Sequence, residues 1–316
     1  MSVDFAAVAD QLETILATAT IPIAPGLNTR IKKADICISL DRIKTTYEYK
    51  FIAGDASTKL HLRFDGSRIN RYASRSQQAR VLSEGWVQSN VYCVNCGNKR
   101  IQQYKNNNPA TDFHCLSCDE EYELKGKRGR FGGKIVNGAY HTLVQKLRTE
   151  QNPNLILLAY DTELCSVLNL EIIPKHFFTP EIVEARRPLS ASARRAGWIG
   201  CDINLTSIPL AGRICIVENQ VARSKFDVLE NWNKTRFLRE KNVRERTWLL
   251  TVMSLIDSLG RKDFALNELY VFEERLRYAF PKNKHVKEKI RQQLQTLRDG
   301  GYIDFTARGC YSVVKT

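Results

Sequence analysis

The chain has 316 residues, 43% hydrophobic and 26% charged, a composition that excludes a largely disordered chain and suffices for two or three domains without disulfide staples. With 48 Lys and Arg against 34 Asp and Glu, the formal net charge is +14, which points to a polyanionic partner, nucleic acid before an anionic membrane. No apolar run reaches the roughly 18 residues of a membrane span. Met1 to Ala19 carries Asp4, Asp10 and Glu13 where a secretory leader would be basic, so the expected location is intracellular, with no membrane partner.

Residues 1–70 are close to neutral, so the positive excess lies in 71–316. Phe5, Val8, Leu12, Ile15 and Leu16 recur at helical spacing, Pro22, Pro25 and Gly26 break the pattern, and Ile36–Leu40, Tyr47–Ile52 and Leu60–Phe64 read as strands. The expectation is a small α+β N-terminal extension over 1–70. Ser74–Ser76 caps a helix through Val81, Leu82 and Trp86. After a cysteine-rich stretch at 90–120, Tyr122 and Leu124 alternate with charges over Glu121–Lys127. Asn137–Arg148 reads as a helix with Ala139, Leu143, Val144 and Leu147 on one side. Leu155–Tyr160, Val167–Ile173 and Arg213–Val217 read as strands. Strands interleaved with helices indicate an α/β domain over 71–240.

The remainder, 241–316, changes character. Trp248, Leu249, Val252, Leu255, Ile256 and Leu259 make one amphipathic helix ending at Gly260. Leu266, Leu269, Tyr270 and Leu276 suggest a second, and Val286, Ile290, Leu294 and Leu297 a third, ending at Gly300-Gly301. A hairpin follows, Tyr302–Phe305 and Tyr311–Val314 around Ala307-Arg-Gly309. Three helices closed by a hairpin is the order of a winged helix-turn-helix. The third helix offers Lys284, Lys287, Lys289, Arg291, Gln292, Gln295 and Arg298 to solvent. Its cations suit phosphates and its glutamines an adenine edge, although a merely solvated face has the same look.

Four of the nine cysteines form Cys93-Val-Asn-Cys96 and Cys115-Leu-Ser-Cys118, with 18 residues between the pairs. Two such knuckles complete a tetrahedron of thiolates, a closed structural Zn²⁺ site with no position open for catalysis. Iron–sulfur ligation is the weaker rival because its usual spacings differ. Cys37, Cys165 and Cys215 sit in apolar runs and are expected in the core, while Cys201 and Cys310 are isolated.

Within the same region stands Pro109-Ala-Thr-Asp112, followed after ten intervening residues by Glu123-Leu-Lys125. An Asp at the start of one strand and Glu-x-Lys on the next is the PD-(D/E)xK nuclease arrangement. Residues i and i+2 of a strand face the same side, so Glu123 and Lys125 point together, and a neighbouring strand brings Asp112 to them. Two carboxylates suit Mg²⁺, which lowers the pKa of a bound water, and Lys125 orients that water or stabilises charge on phosphorus. Taken singly the pattern is weak, since such spacings are common among salt-bridged surface residues. Glu84 is either a further metal carboxylate or an exposed helix residue, and Asp119-Glu120-Glu121 reads as a solvated turn.

The stretches Cys93-Val-Asn-Cys96-Gly-Asn, Asp112-Phe-His-Cys115-Leu-Ser-Cys118, Glu121-Tyr-Glu-Leu-Lys125, Asn137-Gly-Ala-Tyr140, Ala193-Arg-Arg-Ala-Gly-Trp-Ile-Gly-Cys201 and Lys287–Arg298 together resemble the DpnI-like methyl-directed restriction endonucleases over about 70–316. The resemblance implies a PD-(D/E)xK nuclease core with embedded zinc ribbon, a C-terminal winged helix, and catalytic roles for Asp112, Glu123 and Lys125. It also implies Mg²⁺-dependent, type II cleavage of double-stranded DNA at adenine-methylated sites, foremost G(6-methyl-A)TC, by a prokaryotic protein expected to be a monomer. Residues 1–70 have no counterpart in it. The methyl on adenine N6 projects into the major groove. Arg194 and Arg195 offer a clamp for backbone or guanine, and Trp198 an aromatic face for the methyl, unless that ring packs in the core. The rival readings are a non-catalytic regulator with a ribbon and a winged helix, and an RNA-binding ribbon protein. The winged helix and the lack of an obvious stacking platform disfavour the latter.

Overall fold

The computed structural model describes residues 60–66, 74–104 and 111–314. The expected unit at 1–70, apart from 60–66, lies outside the described residues, as do Cys37 and Pro109.

Helix α1 (Arg75–Asn90) begins after Ser74. Strands β1 (Gln102–Gln103) and β2 (Phe113–His114) flank the second cysteine pair's approach, and β3 is Glu121–Arg128. Then come β4 (Lys134–Ala139), α2 (Tyr140–Arg148), β5 (Asn154–Asp161), β6 (Ser166–Ile173), β7 (Val183–Ala185), β8 (Gly200–Asn204), β9 (Ile214–Glu218), β10 (Val221–Ala222) and α3 (Lys225–Lys234). The main sheet has the order β1-β2-β3-β5-β6-β9-β10. Among the described residues only β3 and β5 run parallel, joined by a crossover through β4 and α2; the other pairs of this sheet are antiparallel. A second sheet, β4-β8-β7, is carried by that crossover and by the segment after β6.

Strand β5 is buried from Asn154 to Tyr160 without alternation, as expected of a strand covered on both faces. Its Ile156 and Leu158 join a core with Trp86 and Val87 of α1, Val228, Leu229 and Trp232 of α3, and Cys93 and Cys115. Its Leu155 and Leu157 join the opposite core, with Val144 and Leu147 of α2 and Ile135 and Ile203 of the small sheet. Each fully buried Leu or Ile contributes roughly 1.5–3 kcal/mol. Residues 60–66, grouped with the first 70 by composition, lie along β6: Leu62 O accepts the N–H of Val167, Phe64 N–H donates to Cys165 O, and Leu62 and Phe64 pack on the core beside Trp86.

The C-terminal part holds α4 (Val243–Ser258), β11 (Asp263–Ala265), α5 (Leu266–Tyr270), α6 (Glu273–Ala279), α7 (Val286–Asp299), β12 (Ile303–Ala307) and β13 (Cys310–Val313), with sheet order β11-β13-β12. This is a winged helix-turn-helix. Asn242 and Glu245 close a capping box at the start of α4. Trp248, Leu249 and Val252 of α4 and Leu294 of α7 are continuous with the core that contains Leu155 and Phe177. The winged helix is thus fused to one face of the nuclease sheet by shared packing. No helix among the described residues is long and apolar enough to cross a membrane.

Several local expectations need correction. Helix α2 starts at Tyr140, not Asn137, because Lys134–Ala139 pairs with β8 and residues 137–139 finish a strand. The ladder outweighs the helical spacing of Ala139. The second helix of the winged region is two, α5 and α6, parted at Val271-Phe272; the turn buries both Leu269 and Leu276. Glu273 and Glu274 favour the restart at the helix N-terminus. Cys165 is exposed, at positive φ in the turn between β5 and β6, and Cys215 is half-buried. Glu120 is not in a solvated turn: it is 3% exposed. Its carboxylate pairs with Arg239 and accepts the Asn154 amide at 2.7 Å, with Lys175 at 3.7 Å.

Candidate active site and nucleic-acid interface

Strand β2 pairs antiparallel with β3 through Phe113↔Tyr122. One step further along that register, Asp112 lies opposite Glu123. Asp112 donates its N–H to Tyr122 O at 2.9 Å, and its Oδ2 accepts the N–H of Leu124 at 2.7 Å. Glu123 and Lys125 share the face of β3 that meets Leu155 and Leu157 of β5, and their side chains pair at 2.7 Å. Asp112, Glu123 and Lys125 are therefore brought together on one strand edge, all half-buried. Each acid has one oxygen committed and, among the described residues, one without a bonded partner, a donor set suited to a hard cation.

Glu84 is mostly covered, 13% exposed. It accepts from Arg80 Nε at 2.6 Å and from Gln103 Nε2 at 2.8 Å. Glu84 pushes the Arg80 guanidinium above its usual range, and Asp112 adds a smaller push. So Arg80 bridges the field of Glu84 to that of Asp112, and Glu84 is neither exposed nor one of the acids on β3. Burial, then Asp202, raises the Cys201 thiol of β8, with smaller opposing effects of Lys125 and Glu123. The small sheet thus approaches β3 beside Lys125.

The four ribbon cysteines converge: their Sγ atoms lie within 4.8 Å of one another. Cys93 and Cys118 are 3.5 Å apart, as are Cys96 and Cys115, close to the roughly 3.8 Å between thiolates on one tetrahedral Zn²⁺. The two knuckles have matching turns. Gly97 (φ 74) follows the first pair and Asp119 (φ 56) the second; N–H groups of Gly97 and Asp119 donate to Cys93 O and Cys115 O. Burial raises the Cys93 and Cys96 thiols, Cys96 to about 12. A cation in the cluster reverses that preference. The cluster has the ligand set of a structural metal site, and its chemistry suits zinc. Tyr122, on the back of β3 between Glu121 and Glu123, places its hydroxyl 3.2 Å from Cys93 Sγ. The ribbon therefore buttresses the strand that carries Glu123 and Lys125.

Arg194, Arg195 and Trp198 lie in the connection from β7 to β8. Both arginines are exposed and Trp198 is half-buried. Gly200 leaves room for the Trp198 ring, since a Cβ there would stand 2.9 Å from it. The indole is thus neither core nor free. On the winged helix, Lys287, Arg291, Gln292 and Gln295 are exposed on α7 and Lys284 precedes it, while Lys289 is half-buried. Lys287 pairs with Glu273 at 3.3 Å, and Arg291 donates to Tyr270 Oη at 3.0 Å and to Glu288 at 3.1 Å. Sequence reasoning missed Tyr270 and Glu273 here, because their spacing to α7 is set by the α5–α6 turn.

A mixed sheet whose one parallel pair is joined by a crossover, a four-cysteine module packed behind β3 and a winged helix packed alongside define a PD-(D/E)xK-type endonuclease core with a DNA-reading appendage. A model of the Dam-replacing family, DpnI, matches residues 60–241, and one of the Dam-replacing HTH domain matches 244–313. The first covers more than half of the chain, so the chain belongs to the Dam-replacing family. That membership makes it a site-specific, methyl-directed DNA endonuclease acting at methylated adenine sites such as GATC.

Proposed function

We propose that the chain cuts double-stranded, adenine-methylated DNA with Mg²⁺, foremost at G(6-methyl-A)TC, using Asp112, Glu123 and Lys125. The observation that carries this reading is the meeting of Asp112 with the Glu123–Lys125 pair, through the Leu124 N–H bond at 2.7 Å and the ion pair at 2.7 Å. Asp112 and Glu123 would hold the cation through their open oxygens; when bound it supplies charge neutralisation at the scissile phosphate and acidifies water. Lys125, held by Glu123, places a positive charge where negative charge builds on phosphorus. Arg194 and Arg195 bind phosphate or guanine in the major groove, with Trp198 beside the adenine methyl. On the winged helix, Lys284, Lys287 and Arg291 contact phosphates and Gln292 and Gln295 face base edges.

One plasmid, prepared with and without GATC adenine methylation, tests the proposal with Mg²⁺ present or omitted. Omission rather than chelation leaves the ribbon metal in place. The expected result is cutting of the methylated form only, only with Mg²⁺, and none by Lys125→Ala. Tight binding to methylated DNA with no cutting in any lane would favour the regulator reading.

A further inference from the structure

Asn137 stands at the end of β4, where the pairing with β8 slips: Asn137 faces Cys201, whereas Ala139 faces Gly200. The extra residue, Gly138, makes a bulge, a device that re-aims a neighbouring side chain. Asn137 Oδ1 accepts the N–H of Gly138 at 2.7 Å, which fixes the rotation of the amide. The same oxygen accepts from Lys125 Nζ at 3.5 Å. Lys125 is thus held from two sides, by Glu123 Oε1 at 2.7 Å on its own strand and by the amide oxygen of another sheet. A neutral acceptor can orient an ammonium without placing a further negative charge beside Asp112 and Glu123.

We propose that Asn137 is a positioning residue for Lys125: the Gly138 bulge aims its amide oxygen at the ammonium and holds that group directed at the scissile phosphate. The inference rests on the catalytic reading of Asp112, Glu123 and Lys125.

The test compares Asn137→Ala, Asn137→Asp and Lys125→Ala on a methylated duplex, measuring single-turnover cleavage with Mg²⁺ and DNA affinity without it. Asn137→Ala should lose about tenfold in rate with affinity unchanged. Asn137→Asp preserves an acceptor for Gly138 and so guards against a folding failure. Because it also keeps an oxygen for the Lys125 ammonium, it should recover most of the rate that Asn137→Ala loses. A wild-type rate in Asn137→Ala overturns the inference, as does a loss of rate matched by a loss of affinity, or a rate in Asn137→Asp no higher than in Asn137→Ala. Full cleavage by Lys125→Ala instead overturns the catalytic reading itself.

Discussion

The backbone N–H of Leu124 donates to Asp112 Oδ2 at 2.7 Å, so the acid that precedes β2 is anchored to the residue between Glu123 and Lys125. The bond leaves the other oxygen of Asp112 without a bonded partner among the described residues. An Asp112→Asn variant keeps an acceptor for Leu124 and loses only charge. The expectation is an unchanged melting temperature with cleavage reduced by at least about 100-fold. An equal fall in melting temperature and rate would make Asp112 a structural acid.

Glu120 ties the ribbon to the approach to the winged helix. It follows Cys118 closely and pairs with Arg239, whose Nη1 donates to Asn95 Oδ1 of the first knuckle at 3.3 Å; Trp232 Nε1 donates to the same oxygen at 3.0 Å. Breaking a covered pair strands the remaining charge, so Arg239→Met should cost about 3 kcal/mol. Adding Glu120→Gln should recover part of that. Denaturant unfolding reads both, and additive losses in the double variant would contradict a coupled pair.

His176 makes stability depend on pH. Thr235 Oγ1 donates to Trp232 O at 2.9 Å, so His176 Nε2, 3.1 Å away, is the donor to that hydroxyl. Nδ1 is then a buried acceptor without a partner. Burial, followed by Arg239, Arg246 and Lys175, holds the imidazole pKa well below its ordinary value. The unfolded chain takes up a proton near pH 6.5 that the folded chain refuses. Stability is therefore full above about pH 6.5 and falls as pH drops toward the folded value, by up to about 1.4 kcal/mol per unit. His176→Leu should flatten the difference in urea midpoint between about pH 7.5 and about pH 5.5. An identical slope in both proteins would remove His176 as its source.

Arg194 and Arg195 are exposed on the β7–β8 connection, with Trp198 lodged over Gly200 behind them. If both arginines meet phosphates, replacing the pair by Ala reduces the slope of log K against log salt by nearly 2, at roughly 0.9 per contact. Trp198→Ala should narrow the preference for methylated over unmethylated duplex by about tenfold while leaving the salt slope intact. An equal loss on both duplexes would show the indole to be packing alone.

Much of the site could be read along the chain because its chemistry is written in short spacings. Two CxxC pairs define a metal site through turn geometry alone, and Glu-x-Lys on an alternating strand needs only the two-residue period to face one way. The strands Leu155–Tyr160 and Val167–Ile173 and the third winged helix were legible for the same reason, a strong local apolar pattern. Asn137 and Glu120 were not. Asn137 looked like the start of a helix, and only pairing with β8 makes it the end of a strand with a bulge. Glu120 looked like one of three solvated acids until Asn154 and Arg239, 34 and 119 residues away, enclosed it.

The ribbon, the alternation on β3 and the order of the winged helix are legible along the chain, since each depends on contacts within a few residues or on the identity of the ligating atoms. The folded molecule adds that Asp112 stands opposite Glu123, that the ribbon rests on β3 through Tyr122, and that the winged helix shares a core with the nuclease sheet. Those relationships join segments tens to more than a hundred residues apart. Register, burial and a shared apolar face set them, and no local pattern of side chains encodes which distant partner will supply the other half.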